Sequence, residues 1–178
     1  LVLRSGIPNF LIEDKENAFK YMLIAAESSS TKDNAPAMDW ISIFYEQGYG
    51  IDRDDLKALY WKKKAADLGY SYALNNLGWA YEQGELGLER DMTMAQDYYR
   101  KSYAEDKDCG ICMTNLGRMY ELESGPQELV MAKILYSKAF ALGDLEAGNL
   151  LAVLELGAFA DSSSIEEAKS ILEVVVMG

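Results

Sequence analysis

Three independent series of residues recur along this chain at one spacing, and that periodicity constrains the fold more than any other feature. The tetrapeptide Tyr45-Glu46-Gln47-Gly48 returns as Tyr81-Glu82-Gln83-Gly84, a step of 36 residues, and a looser form runs from Tyr120 to Gly125. A set of alanines, Ala18, Ala58, Ala95, Ala132 and Ala168, steps by 40, 37, 37 and 36. Small residues ahead of the motif, Ala37, Ala73, Cys112 and Ala147, step by 36, 39 and 35. Self-similarity at such a period is the signature of stacked supersecondary units.

Within each unit the apolar spacing is helical. Ala73, Leu77, Gly78 and Tyr81 mark one face, and Ala95, Tyr98, Tyr99, Ser102 and Tyr103 mark another, so each unit is expected to be two helices. Four residues before each anchoring alanine stand Asp14, Asp54, Asp91, Glu128 and Ser164. Such side chains accept from the orphan amides of a helix start, and Ser164 with Glu167 spells a capping box. Gly48 with Gly50, and Gly84 with Gly87, supply positive φ between the helices. Pairs such as Ala65-Ala66 keep helices close, and Gly69 and Gly143 end two second helices.

These units resemble Sel-1-like repeats, relatives of the tetratricopeptide repeat. Gly48, Gly50, Ile51, Asp54, Lys57, Ala58, Trp61, Lys64, Ala65, Ala66 and Gly69 follow that family's pattern, and Leu77-Gly78 with Tyr81, and Leu116-Gly117 with Tyr120, repeat it. A plain tetratricopeptide array would hold to 34 residues and lack the glycine-rich turn. The resemblance implies an all-α, right-handed α-solenoid of helix-turn-helix repeats. On this reading the chain is one array over 1–178, with a partial repeat at 1–33 and repeats near 34–69, 70–107, 108–143 and 144–178. The first segment supplies only a second helix, near Asp14 to Glu27. The last unit departs from the pattern: Glu155 replaces the tyrosine, and the loop from Ala158 to Ser164 has no paired glycines. Its final run, Ile171, Leu172, Val174, Val175 and Val176, lacks the polar outer face of a terminal repeat. The expectation is a segment of a longer solenoid, or an end covered by another molecule.

The absence of histidine among 178 residues removes the usual general base, the common nucleophile pairs and the commonest metal ligand. No phosphate-cradling or nucleophile-elbow motif is present, so no catalytic residue, cofactor or metal is expected. Ser29 and Lys32 satisfy Ser-x-x-Lys, but without its companion motifs the stretch Ser28 to Asn34 reads as a linker. Cys109 and Cys112 form a Cys-x-x-Cys with too few further ligands for zinc. Cys112 stands in the slot of Ala37, Ala73 and Ala147, so the two are read as packed structural thiols, with a reversible local disulfide as the lesser alternative. The formal charge of -12 argues against nucleic acid and anionic membrane surfaces, and for a basic or amphipathic protein or peptide. No apolar run approaches the roughly 20 residues of a membrane span, so the chain reads as soluble without direct membrane insertion. It opens on Leu rather than Met, which leaves any targeting segment and the compartment open.

In stacked helix pairs the first helices line an inner groove. The expected partner-binding residues are Asp39, Ile43 and Glu46; Tyr72, Asn75, Asn76, Trp79 and Glu82; and Asn115, Arg118 and Glu121. Gln47, Gln83 and Thr114 lie on the same faces. By resemblance to tetratricopeptide relatives, Asn76 and Asn115 would hydrogen-bond a bound segment, the alternative being that they brace neighbouring helices. The function expected is a non-catalytic adaptor that binds a partner in an acidic groove, with a further contact through the apolar last helix. The rival reading is the regulatory repeat segment of a multidomain enzyme such as a kinase.

Overall fold

The computed structural model describes residues 15–28, 31–158 and 161–177. Among these the chain is helical, with no strand. Its elements are α1 (Lys15–Ser28), a 3-10 turn (Lys32–Asn34), α2 (Ala35–Gln47), α3 (Asp55–Asp67), α4 (Ser71–Gln83) and α5 (Met92–Glu105), followed by α6 (Gly110–Glu123), α7 (Pro126–Ala141), α8 (Leu145–Gly157) and α9 (Ser162–Met177). The chain divides into two compact units, Leu1–Tyr98 and Tyr99–Gly178.

In the first unit α1 packs on α2, α2 on α3 and α3 on α4, and in the second α6 packs on α7, α7 on α8 and α8 on α9. The alanines that set the period are the reason. Ala58, Ala73, Ala95, Ala132, Ala147 and Ala168 are fully buried, where a larger side chain would force the helix axes apart. In the first unit Trp61, Ala65, Ala66, Ala73, Leu74 and Leu77 form one core with Met38 and Ile41. In the second, Ala132, Tyr136, Leu151, Ala152, Leu154, Ala168 and Ile171 form another.

The turns follow the glycines. Gly48 and Gly84 close α2 and α4 in the left-handed region, at φ 67° and 74°. In the third motif that job falls to Ser124, at φ 55°, and Gly125 instead takes extended backbone ahead of α7. The second-helix starts divide. Asp54 accepts from the Lys57 amide at 3.0 Å, and Asp91 accepts from the Thr93 and Met94 amides, each at 3.0 Å. Asp14 lies outside the described residues. Glu128 and Ser164, expected as caps, lie inside α7 and α9. Pro126 starts α7 earlier because it lacks the amide that a first turn leaves unpaired. Asp161 caps α9, accepting from the Ser164 amide at 2.8 Å, while the Ser164 side chain is buried; the capping box is not formed.

Gly117 shows what the Leu-Gly pair contributes. A Cβ there would lie 2.7 Å from Cε1 of the Tyr136 ring. That ring is wholly buried, and its hydroxyl donates to Glu121 Oε2 at 2.7 Å, so it cannot swing away. Gly117→Ala should therefore destabilise the chain by about 1–3 kcal/mol in urea unfolding, despite the gain in helix propensity. A stabilised variant would show that the ring has room to move.

The tyrosine slot takes different partners along the chain. Tyr45 meets Phe19 edge-on, with ring centroids 5.4 Å apart, and Tyr81 stacks on Tyr98 at 5.5 Å. Glu155 in the last unit is completely buried, and its Oε1 lies 2.6 Å from Lys133 Nζ. Lys133 follows Ala132 as Phe19 follows Ala18, so an aromatic pair has been exchanged, position for position, for an ion pair.

Candidate functional site

A stripe of three exposed residues, with half-buried Asn76 among them, runs along α4. Tyr72, Asn76, Trp79 and Gln83 recur at the spacing of one helical face; Tyr72 is 46% and Trp79 37% exposed. Large aromatic side chains left open on one face are the side chains that dominate binding energy once covered. The corresponding face of α2 carries Ile43, which is half-buried. In α6 it carries half-buried Arg118 and the exposed Ile111 and Leu122; in α8, half-buried Leu150 and exposed Val153.

Several residues expected to line an open groove are instead interior. Asp39, Asn75 and Glu82 in the first unit, and Thr114 and Asn115 in the second, are buried. Asp39, Asn75 and Thr114 each stand two residues after the period-setting small residue, which turns them toward a neighbouring helix rather than outward. The amide of Asn76 lies 3.4 Å from Asp39 Oδ2 and braces α4 to α2. Thr114 Oγ1 donates to Asp144 Oδ2 at 2.7 Å and braces α6 to the start of α8. The acidic candidates are similarly engaged. Glu46 Oε2 lies 2.8 Å from Nζ of buried Lys62, and Glu121 accepts the Tyr136 hydroxyl. Desolvation raises the Asp39 carboxyl from 3.8 to about 6; nearby Lys62 and the Asn76 hydrogen bond only partly offset it.

In the second unit the first-helix faces border a hollow of about 570 Å³. Arg118, Glu121 and Leu122 of α6 form one wall, and Leu150, Val153 and Gly157 of α8 the other, with Leu129 of α7 between them. Arg118 Nη1 donates to Asn115 Oδ1 at 3.1 Å. Sequence reasoning singled out Arg118 and Glu121 but missed Leu122, Leu150 and Val153. The signal was available: Val153 holds in its unit the place that Trp79 and Arg118 hold in theirs.

Cys109 and Cys112 are joined by a disulfide rather than standing as separate thiols. One turn at the start of α6 brings the two sulfurs together, and both residues are buried. Ser29 of the Ser-x-x-Lys pattern lies outside the described residues. Among the described residues no group of three metal-ligating side chains is assembled, and no helix is long and apolar enough to cross a membrane.

This arrangement of short helix pairs with open first-helix faces is that of a helical repeat protein. The Sel1 repeat matches residues 4–30, 35–70, 71–107 and 110–144, and the chain belongs to that family. It is 35% identical over 95 residues to the ERAD-associated E3 ubiquitin-protein ligase component HRD3B of Arabidopsis thaliana, a match covering 53% of this chain and 14% of that protein. Its fold is similar to that of a Sel1 repeat protein from Oxalobacter formigenes, with a TM-score of 0.77 and 20% identity over 93% of this chain and 65% of the other. It is also similar to c5321, a protective antigen of uropathogenic Escherichia coli with an SLR fold: TM-score 0.75 and 25% identity over 92% of this chain and 34% of that one. The fold class is thus the α-solenoid of Sel1 repeats, and proteins of this family are generally non-catalytic interaction scaffolds. The helix pair α8 and α9 lies wholly beyond the matched segments yet keeps buried Ala147 and Ala168 in register.

Proposed function

We propose that this chain is a non-catalytic scaffold that holds a partner protein or peptide against the exposed faces of its first helices. The observation that carries this reading is the stripe of Tyr72, Asn76, Trp79 and Gln83 on α4, with its open tryptophan. Ile43 extends the same kind of face on α2, and Arg118 does so on α6. The carboxylates that would have made the groove acidic are buried or internally engaged, so apolar and aromatic contact supplies the affinity, and the net charge of -12 acts at longer range on a basic partner. HRD3B is by name a component of a ligase assembly, which supports a role in holding other proteins.

Affinity capture of partner proteins should separate the wild-type chain from a Trp79→Ala, Arg118→Glu variant whose helicity is checked by circular dichroism. A partner held by the wild type should be lost with the variant, the tryptophan alone contributing about tenfold or more in affinity. Retention of every partner by the folded variant would refute this face as the contact.

A further inference from the structure

The equivalent face of the first helices changes chemistry from repeat to repeat. It reads Asn76, Trp79, Gln83 in α4, then Asn115, Arg118, Leu122 in α6, then Leu150, Val153, Gly157 in α8. The hollow between α6 and α8 is where polar positions give way to apolar ones, and Leu122 and Val153 in its lining are 65% and 63% exposed. Its charged lining is balanced within itself: Arg118 and Glu121 stand three residues apart on one helix, and each already serves a neighbouring side chain. The hollow is thus apolar and locally neutral, whereas its unit, residues 99–178, carries thirteen Asp and Glu against seven Lys and Arg.

We infer that this hollow is the docking site for a short segment of a partner protein whose apolar side chains are flanked by lysine or arginine. The inference rests on the scaffold reading and names the chemistry of the segment it would hold. Apolar side chains displace water from Leu122, Val153 and Leu150, and the net negative charge of the unit attracts the flanking cations at longer range. An acidic segment would meet the same surplus as repulsion.

Gly157 offers a clean obstruction. A Cβ built on it meets nothing within 4 Å, so the side chain of Gly157→Leu starts into open space and adds bulk at the lining. Val153→Asp places a charge in the same lining, and Leu156→Asp adds the same charge to the same helix at an exposed position outside it. The probe is a fluorescent amphipathic peptide with leucines on one face and lysines at both ends, compared by anisotropy with its glutamate-flanked counterpart. The lysine peptide should bind about tenfold more weakly to Gly157→Leu and to Val153→Asp, be unaffected by Leu156→Asp, and weaken as salt is added. Equal affinity for the glutamate peptide, or equal loss with Leu156→Asp, would overturn the inference. So would a concentration-dependent dimer abolished by Val153→Asp, which would make a second copy the occupant. In the partner capture, a protein kept by Gly157→Leu but lost with the Trp79→Ala, Arg118→Glu variant would refute the hollow and leave the scaffold reading standing. One kept by both would refute both.

Discussion

Lys133→Met should cost about 3–5 kcal/mol of stability, because it leaves the Glu155 carboxylate in the interior without its cation. Glu155 is wholly enclosed, and Lys133 Nζ, 2.6 Å from its Oε1, is its ionic partner; Glu167 lies farther from the same ammonium, at 3.8 Å. Glu155 Oε2 is buried with no hydrogen-bond partner among the described residues, so nothing else offsets the loss. Hydrogen bonding to Glu155 also raises the Lys133 pKa, which keeps the ammonium charged. The double variant Lys133→Phe, Glu155→Tyr restores the aromatic pair seen at Phe19 and Tyr45, and should recover most of the stability that Lys133→Met loses. Urea unfolding of the two variants and the wild type tests this. A Lys133→Met cost below about 1 kcal/mol would mean that the pair is exchanged readily for solvent contacts.

Asp39→Asn should stabilise the chain at neutral pH. Burial holds the Asp39 carboxyl at about 6, above its ordinary 3.8, so between those values the folded chain keeps a proton that the unfolded chain has released. Stability from this group is therefore complete below about pH 4 and lost as pH rises to about 6. Asparagine removes that slope and preserves an oxygen for Asn76, giving a gain of up to about 3 kcal/mol at pH 7. Lys62 retains Glu46 at 2.8 Å, so the change does not strand a cation. The check is the difference in unfolding free energy between variant and wild type at pH 4 and pH 7. An equal difference at both pH values would show that Asp39 is not the titrating group.

Legibility in the sequence followed the physical range of each interaction. The helix pairs, the left-handed glycines and the Asp54 and Asp91 caps were readable because they depend on residues within one turn or one loop of each other. Glu128 and Ser164 misled because a nearby proline and an alternative aspartate competed for the same helix starts. Asn75 and Glu82 misled because a helical face tells which side chains lie together, but not which side the neighbouring helix occupies. The sulfur pairing of Cys109 and Cys112 was left as the lesser alternative because an alanine-like packing slot explained Cys112 equally well.

What the sequence by itself determined is the repeat: its period, its two helices per unit and its membership of an α-solenoid family, since small residues at fixed intervals permit only close helix stacking. The tertiary structure alone decided which polar side chains are interior braces and which apolar ones stay open. That division between Asp39 and Asn75 on one side and Trp79, Leu122 and Val153 on the other depends on residues brought together from 30 or more positions apart, as Thr114 and Asp144 are. Burial is a property of the assembled neighbours, and the repeat register locates it only once the side that each neighbouring helix occupies is known.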